Sequence, residues 1–161
     1  MLPWLGVALV VIVLDQLTKY WIHQRLTHGQ VIEVLPFFNL VLVYNPGAAF
    51  SFLSDQAGWQ KNFFIAIATL ASGWVVYLLA RHPHKRLFCL ALALILGGAI
   101  GNLIDRVVLG AVVDFIDIHA VGYHWPAFNV ADSAISCGAL LLILASFGKH
   151  EERVLPETAV K

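Results

Sequence analysis

Four windows of almost unbroken apolar residues, at about 2–22, 63–80, 87–104 and 131–147, dominate this 161-residue sequence. Each is close to the ~20 residues that carry an α-helix across a bilayer. With 60% hydrophobic and only 12% charged residues, the chain lacks the polar side chains that a water-soluble fold needs to cover itself. The sequence therefore predicts an all-α membrane protein of four transmembrane helices, folded as a single membrane domain over 1–161. Ten Lys and Arg balance ten Asp and Glu, and without net positive charge there is no electrostatic footprint for nucleic acid, so no nucleic-acid partner is expected. The first apolar window has no basic region before it and no small-residue cleavage site before Asp15, and reads as a retained span rather than a removed signal peptide.

Arg81, Lys85 and Arg86 fall between the second and third windows, and Lys149, Arg153 and Lys161 follow the fourth. The positive-inside rule assigns the loop 81–86 and the tail 148–161 to the cytoplasm, together with the N-terminus. Segments 23–62 and 105–130 are then extracytoplasmic, with Trp21, Trp59 and Trp125 near the outer interface. Residues 37–44 and 111–118, rich in β-branched and aromatic types and bounded by Gly and Pro, predict short strands of a small β-rich cradle at the membrane surface. Residues 56–64 suggest a short interfacial helix. Cys89 and Cys137 lie at different depths, out of disulfide reach, and read as small buried hydrophobes.

Ionisable and amide groups inside a span cost a few kcal/mol unless paired or facing a polar cavity, which makes them functional candidates. The first span carries Asp15, Gln16 and Lys19; the third ends in Asn102, Asp105 and Arg106; the fourth begins with Asp132, Ser133 and Ser136. Threaded through the topology, all fall in the outer half of the bilayer, where one polar pocket would collect them, while the cytoplasmic halves are nearly wholly apolar. Asp15 and Lys19, four apart, share a helix face and form either a self-neutralising ion pair or a substrate contact. Gly98, Asn102 and Arg106 also share a face; with Gly97 and Gly101 the glycines read as a close helix contact, which does not account for Asn102 and Arg106.

Strand alternation turns Asp114 and Asp117 to opposite faces. Asn129 to Asp132 has the form of a capping box, so Asp132 reads as a helix cap. If residues 119–128 fold back, Asp114 returns beside Asp132, and two carboxylates in one partly dry site cannot both ionise easily: one holds a proton and the other acts as base. A helix N-terminus favours Asp132 as the ionised one. His119 and His124 could join them around a metal, but their spacing matches no metal motif and surface histidines are the better reading.

Taken in order, Asp15-Gln-Leu-Thr-Lys19, Asn45-Pro-Gly-Ala-Ala-Phe-Ser51, Gly97-Gly-Ala-Ile-Gly-Asn102-Leu-Ile-Asp-Arg106, Val112-Val-Asp-Phe-Ile-Asp117 and Phe128-Asn-Val-Ala-Asp-Ser133 resemble the motifs of bacterial lipoprotein signal peptidase, or signal peptidase II. The resemblance implies an inner-membrane aspartic endopeptidase that cuts prolipoproteins just before a cysteine already carrying diacylglyceryl. It implies Asp114 and Asp132 as the catalytic pair, with Asp15, Lys19, Asn45, Asn102, Arg106 and Asn129 lining or bracing the site. It further implies no metal or other cofactor, contact with membrane lipids, and inhibition by peptide antibiotics such as globomycin. The alternatives from the residues alone are a small proton- or ion-coupled carrier using Asp15, Lys19 and Arg106 as a relay, or a non-catalytic membrane subunit.

Overall fold

The computed structural model describes residues 1–47 and 59–151, without the side chains of 148–151. Four helices, α1 (Leu2–Arg25), α2 (Trp59–Arg81), α3 (Arg86–Val108) and α4 (Val130–Glu151), are joined at one end by a four-stranded antiparallel sheet. Its strands are β1 (Val31–Leu35), β2 (Phe38–Asn45), β3 (Val112–Ala120) and β4 (Tyr123–His124), in the order β1-β2-β3-β4. All four helices are long and apolar enough to cross a membrane. Leu9, Leu17, Leu70, Trp74, Leu140 and Phe147 are exposed on them. A helix apolar on its outer face has lipid as its solvent, and this chain is a multi-pass membrane protein.

The helix α3 is the axis of the bundle and packs against each of the other three. Glycines make this possible. A Cβ at Gly97 would lie 2.6 Å from Val11 Cβ of α1, one at Gly101 would lie 2.7 Å from Asp15 Oδ2, and one at Gly98 would collide with the Ala131 carbonyl of α4. Gly138 returns the contact from α4, where a Cβ would stand 2.7 Å from the Ala91 carbonyl oxygen. The core divides in two. Away from the sheet, Ala8, Val75, Leu79, Cys89, Leu92 and Leu96 form an apolar cluster; beneath the sheet, Ile22, Leu26, Leu42, Val113 and Phe115 form another.

The two expected strands are present as β2 and β3, while β1 and β4 are additions. β1 gives no strand signal in the sequence because all five of its residues are exposed, so it has no inward face to alternate against. β4 is two residues long and follows a turn in which Val121 and Gly122 have φ of 51° and 80°, a left-handed pair that suits a tight hairpin but seldom contains valine. Of the interfacial helix expected over 56–64, residues 56–58 lie outside the described residues and the remainder is the first part of α2. Cys89 is buried, its thiol donating to the His82 carbonyl, but Cys137 is exposed on α4 and corrects the expectation that both are buried; both are free thiols.

Because the Ala131 carbonyl is backbone and cannot yield alone, Gly98→Ala is expected to lower the stability of the detergent-solubilised protein by roughly 1–3 kcal/mol. Gly73→Ala, where an added Cβ meets nothing within 4 Å, is expected to leave it unchanged or raise it by about 0.5–1 kcal/mol. Thermal unfolding of the two variants beside the parent protein checks both.

Candidate active site

At the sheet end of the bundle the lipid-facing pattern gives way to a buried polar network. Asp15 is 0% exposed and Lys19 4%, and the Lys19 Nζ lies 2.7 Å from Asp15 Oδ2 and 2.8 Å from Asp105 Oδ2. Its third proton goes to Asn102 Oδ1 at 2.9 Å, so all three donors of the ammonium are used. The remaining carboxylate capacity is met by backbone and amide. Ala131 N–H donates to Asp15 Oδ1 at 2.9 Å and Val113 N–H to Asp105 Oδ2 at 3.0 Å. Gln16 Nε2 donates to Asp105 Oδ1 at 3.0 Å and to the Gly101 carbonyl at 3.1 Å. The network thus ties α1 to α3, to the start of α4 and to the root of β3.

Asp114 stands on β3 beside a bulge, where three steps along β2 (Leu40 to Val43) match two along β3 (Ile116 to Asp114). Bulges re-aim side chains and sharpen the local twist. Asp114 is 2% exposed and accepts from Asn45 Nδ2 at 3.0 Å and from Asn129 Nδ2 at 2.8 Å. Burial pushes its carboxyl up to about 6; the Asn45 hydrogen bond holds it down, and the negative charge of Asp132 pushes it further up. Asp117, on the opposite face of the strand as alternation requires, takes no part and bonds Asn39 and His124.

The fold-back of 119–128 is present. After the β3–β4 hairpin, Phe128 pairs with Ile116 in both directions, its N–H donating at 3.1 Å and its carbonyl accepting at 2.8 Å. The next residue, Asn129, therefore lies against Asp114. Asn129 is also the N-cap of α4: Asp132 N–H donates to Asn129 Oδ1 at 2.8 Å, and Asn129 N–H donates back to Asp132 Oδ2 at 3.3 Å. Capping and proximity to Asp114 are thus both true of Asp132, through one residue. Asp132 Oδ1 accepts from Asn102 Nδ2 at 2.8 Å, which links it to the Lys19 network. Arg106, one turn beyond Asn102, donates to the Asn102 carbonyl at 3.3 Å and places its guanidinium 5.2 Å from the Phe64 ring of α2. Its Nε is buried with no hydrogen-bond acceptor among the described residues.

Asp15 and Lys19 form the ion pair; Asn102, Asn129 and Asn45 bring amides to the two carboxylates; Gly98 is the contact of α3 with α4. Of the motif that begins at Asn45, residues 48–51 lie outside the described residues. Asp105 and Gln16, which the sequence shows only as polar residues of their spans, belong to the site: Asp105 holds the Lys19 ammonium as closely as Asp15 does, and Gln16 donates to Asp105. The available signal was Gly101, which stands beside Asp15 and places Asp105, one turn along α3, on the same side. His119 and His124 stack on each other at 4.8 Å, and among the described residues no three His, Cys, Asp or Glu side chains converge as a metal-binding group.

Comparison with known proteins gives a consistent result. Residues 7–148 match the family model described as signal peptidase (SPase) II. A lipoprotein signal peptidase of Janthinobacterium sp. (strain Marseille) is 59% identical over 143 residues, covering 89% of this chain and 87% of that one. One of Paraburkholderia phytofirmans is 57% identical over 142 residues, covering 88% and 83%. A bacterial membrane enzyme solved by the in meso method at 2.3 Å superposes with a TM-score of 0.85 at 35% identity, covering 100% of this chain and 96% of that one.

Asp105→Ala removes an acceptor from Lys19, Gln16 and Val113 at once and is expected to lower stability by about 3–5 kcal/mol, the usual effect of breaking a buried pair. Asp105→Asn, whose amide oxygen still accepts from Lys19, is expected to lose less. Denaturation in micelles ranks the two.

Proposed function

Since the chain belongs to the signal peptidase II family and is a peptidase of lipoproteins, we propose that it is an aspartic endopeptidase in which Asp132 activates water and Asp114 protonates the leaving amine. The observation that carries this reading is Asn129, whose side-chain amide donates to Asp114 while its backbone N–H donates to Asp132, holding two carboxylates around one residue. Two carboxylates kept in different environments divide the roles of acid and base. Asp114 is the more deeply buried and its carboxyl is raised, which suits the proton donor; Asp132 opens a helix, whose N-terminal dipole favours the charged form.

In this reading the protein lies in the bacterial inner membrane with both termini cytoplasmic and the site near the extracytoplasmic face. The substrate is a prolipoprotein whose diacylglyceryl chains stay among membrane lipids, with the bond before the modified cysteine offered at the level of the sheet. Attack of water on that carbonyl passes a proton to Asp132, and collapse of the tetrahedral intermediate passes one from Asp114 to the departing cysteine amine. Arg106 Nε is the donor suited to hold substrate backbone, and a peptide antibiotic such as globomycin would compete for the same residues. A carrier would need a polar path through the bundle, and the half beyond Asp15 is the apolar cluster of Ala8, Leu79, Leu92 and Leu96.

Asp114→Asn and Asp132→Asn are each expected to reduce cleavage of a diacylglyceryl-modified precursor by roughly 100- to 10,000-fold, while a chelator leaves cleavage unchanged. Full activity in either variant overturns the reading. The pH profile carries a sign: Asp114 is protonated below about 6, so kcat/KM falls as pH rises beyond it. Asn45→Ala removes a bond that holds Asp114 down and is expected to move that alkaline limb to higher pH.

A further inference from the structure

Three asparagines face the two carboxylates, and each has its amide oriented by a group that can only donate. Gly47 N–H binds Asn45 Oδ1 at 2.9 Å, which turns Asn45 Nδ2 to Asp114. Asp132 N–H binds Asn129 Oδ1 at 2.8 Å, which turns Asn129 Nδ2 to Asp114. The Lys19 ammonium binds Asn102 Oδ1 at 2.9 Å, shorter than the 3.2 Å bond that Asn129 Nδ2 donates to the same oxygen, and this turns Asn102 Nδ2 to Asp132. An ammonium has three donors and no acceptor, so chemistry alone fixes which atom of Asn102 is oxygen. Two of the three orienting groups are backbone N–H. The third is a side chain on α1, and no direct contact joins it to Asp132.

We infer that Lys19 is a positioning residue of the dyad: by locking the Asn102 amide it keeps a donor on Asp132 Oδ1 and so maintains Asp132 as the ionised member of the pair. The inference rests on the aspartic reading above. An Asn102 amide free to rotate can present oxygen to Asp132, and two acceptors at hydrogen-bond distance repel unless Asp132 takes up a proton, which removes the base. Other groups also face Asp132. Arg106 from α3 favours its charge, Asp114 from β3 opposes it, and Asn129 donates from the cap. Lys19 reaches Asp132 through Asn102, and its charge acts on Asp114 as well.

Orientation and bare charge are separated by comparing backgrounds. Lys19→Met is made in Asp105→Asn, so that one positive and one negative buried group go together, and Asp105→Asn alone is the reference. With full-length protein in micelles and a diacylglyceryl-modified precursor, the acidic limb of kcat/KM is expected to rise by about one pH unit in the double variant, and the alkaline limb rises too, because the Lys19 charge holds Asp114 down. In Asp105→Asn/Asn102→Ala, where there is no amide to orient, adding Lys19→Met is expected to move the acidic limb by much less, while the alkaline limb rises as in the first background. An unmoved acidic limb in the folded double variant overturns the inference, and so does an equal shift of that limb in both backgrounds, which would assign the effect to charge or general bracing. If the methionine variant does not fold, Lys19→Gln replaces it; its amide N–H can still donate to Asn102 Oδ1 without the charge, so the acidic limb is expected to hold, and a rise of a full unit overturns the inference. Lys19→Arg, still a pure donor, is expected to keep the parental limb. Failure of the dyad reading is distinguishable, since it shows as activity in Asp114→Asn or Asp132→Asn whatever stands at position 19.

Discussion

The structure depends on an ammonium ion shared by two carboxylates inside an apolar bundle. Lys19 lies between Asp15 and Asp105, and the Ala131 and Val113 N–H groups and Gln16 donate to the same two carboxyl groups. Removing charges from water is expensive, and a buried pair seldom adds net stability over apolar residues of the same volume. Its value here is positional. The groups that complete it belong to α1, α3, α4 and the root of β3, so these elements meet at one place and one angle.

From that anchor the geometry propagates by short steps. Glycine lets α3 approach both α1 and α4, which seats Asp15 against Gly101 and the first turn of α4. The first turn of α4 is fixed by its own cap, and the capping residue Asn129 is fixed against β3 by the pairing of Phe128 with Ile116. Asp114 and Asp132 are then neighbours although they come from a strand and a helix. Their surroundings differ as their chain positions do: one lies on a buried strand beside a bulge, the other at the positive end of a helix dipole. An aspartic mechanism needs that inequality. The second half of the bundle, apolar throughout its core, keeps the polar network at one membrane level.

Much of this was legible in the sequence, and the reasons are specific. Four spans follow from hydropathy because a bilayer tolerates few alternatives. Polar residues within them stand out because each is expensive, and Asp117 could be set aside by strand parity alone. The capping box at Asn129 was readable from residue types, and its second use was not, since that depends on a hairpin whose left-handed turn contains Val121 rather than the usual Asn or Gly. β1 was illegible because its exposed residues carry no alternation. Asp105 is visible as a polar residue beside Arg106 and Gly101 marks a close helix contact one turn away, but its partner lies on another helix, and spacing does not reveal which helix meets that glycine.

The proposed dyad is an unequal pair, with Asp114 as its proton donor and Asp132 as its base. Infrared difference spectroscopy of the aspartic carbonyl stretch, followed through pH with the protein in micelles, reads that inequality directly. The account predicts a protonated-carboxyl band that titrates near 6 in the parent protein, persists in Asp132→Asn and is absent from Asp114→Asn. A band that survives in Asp114→Asn and vanishes in Asp132→Asn would contradict it.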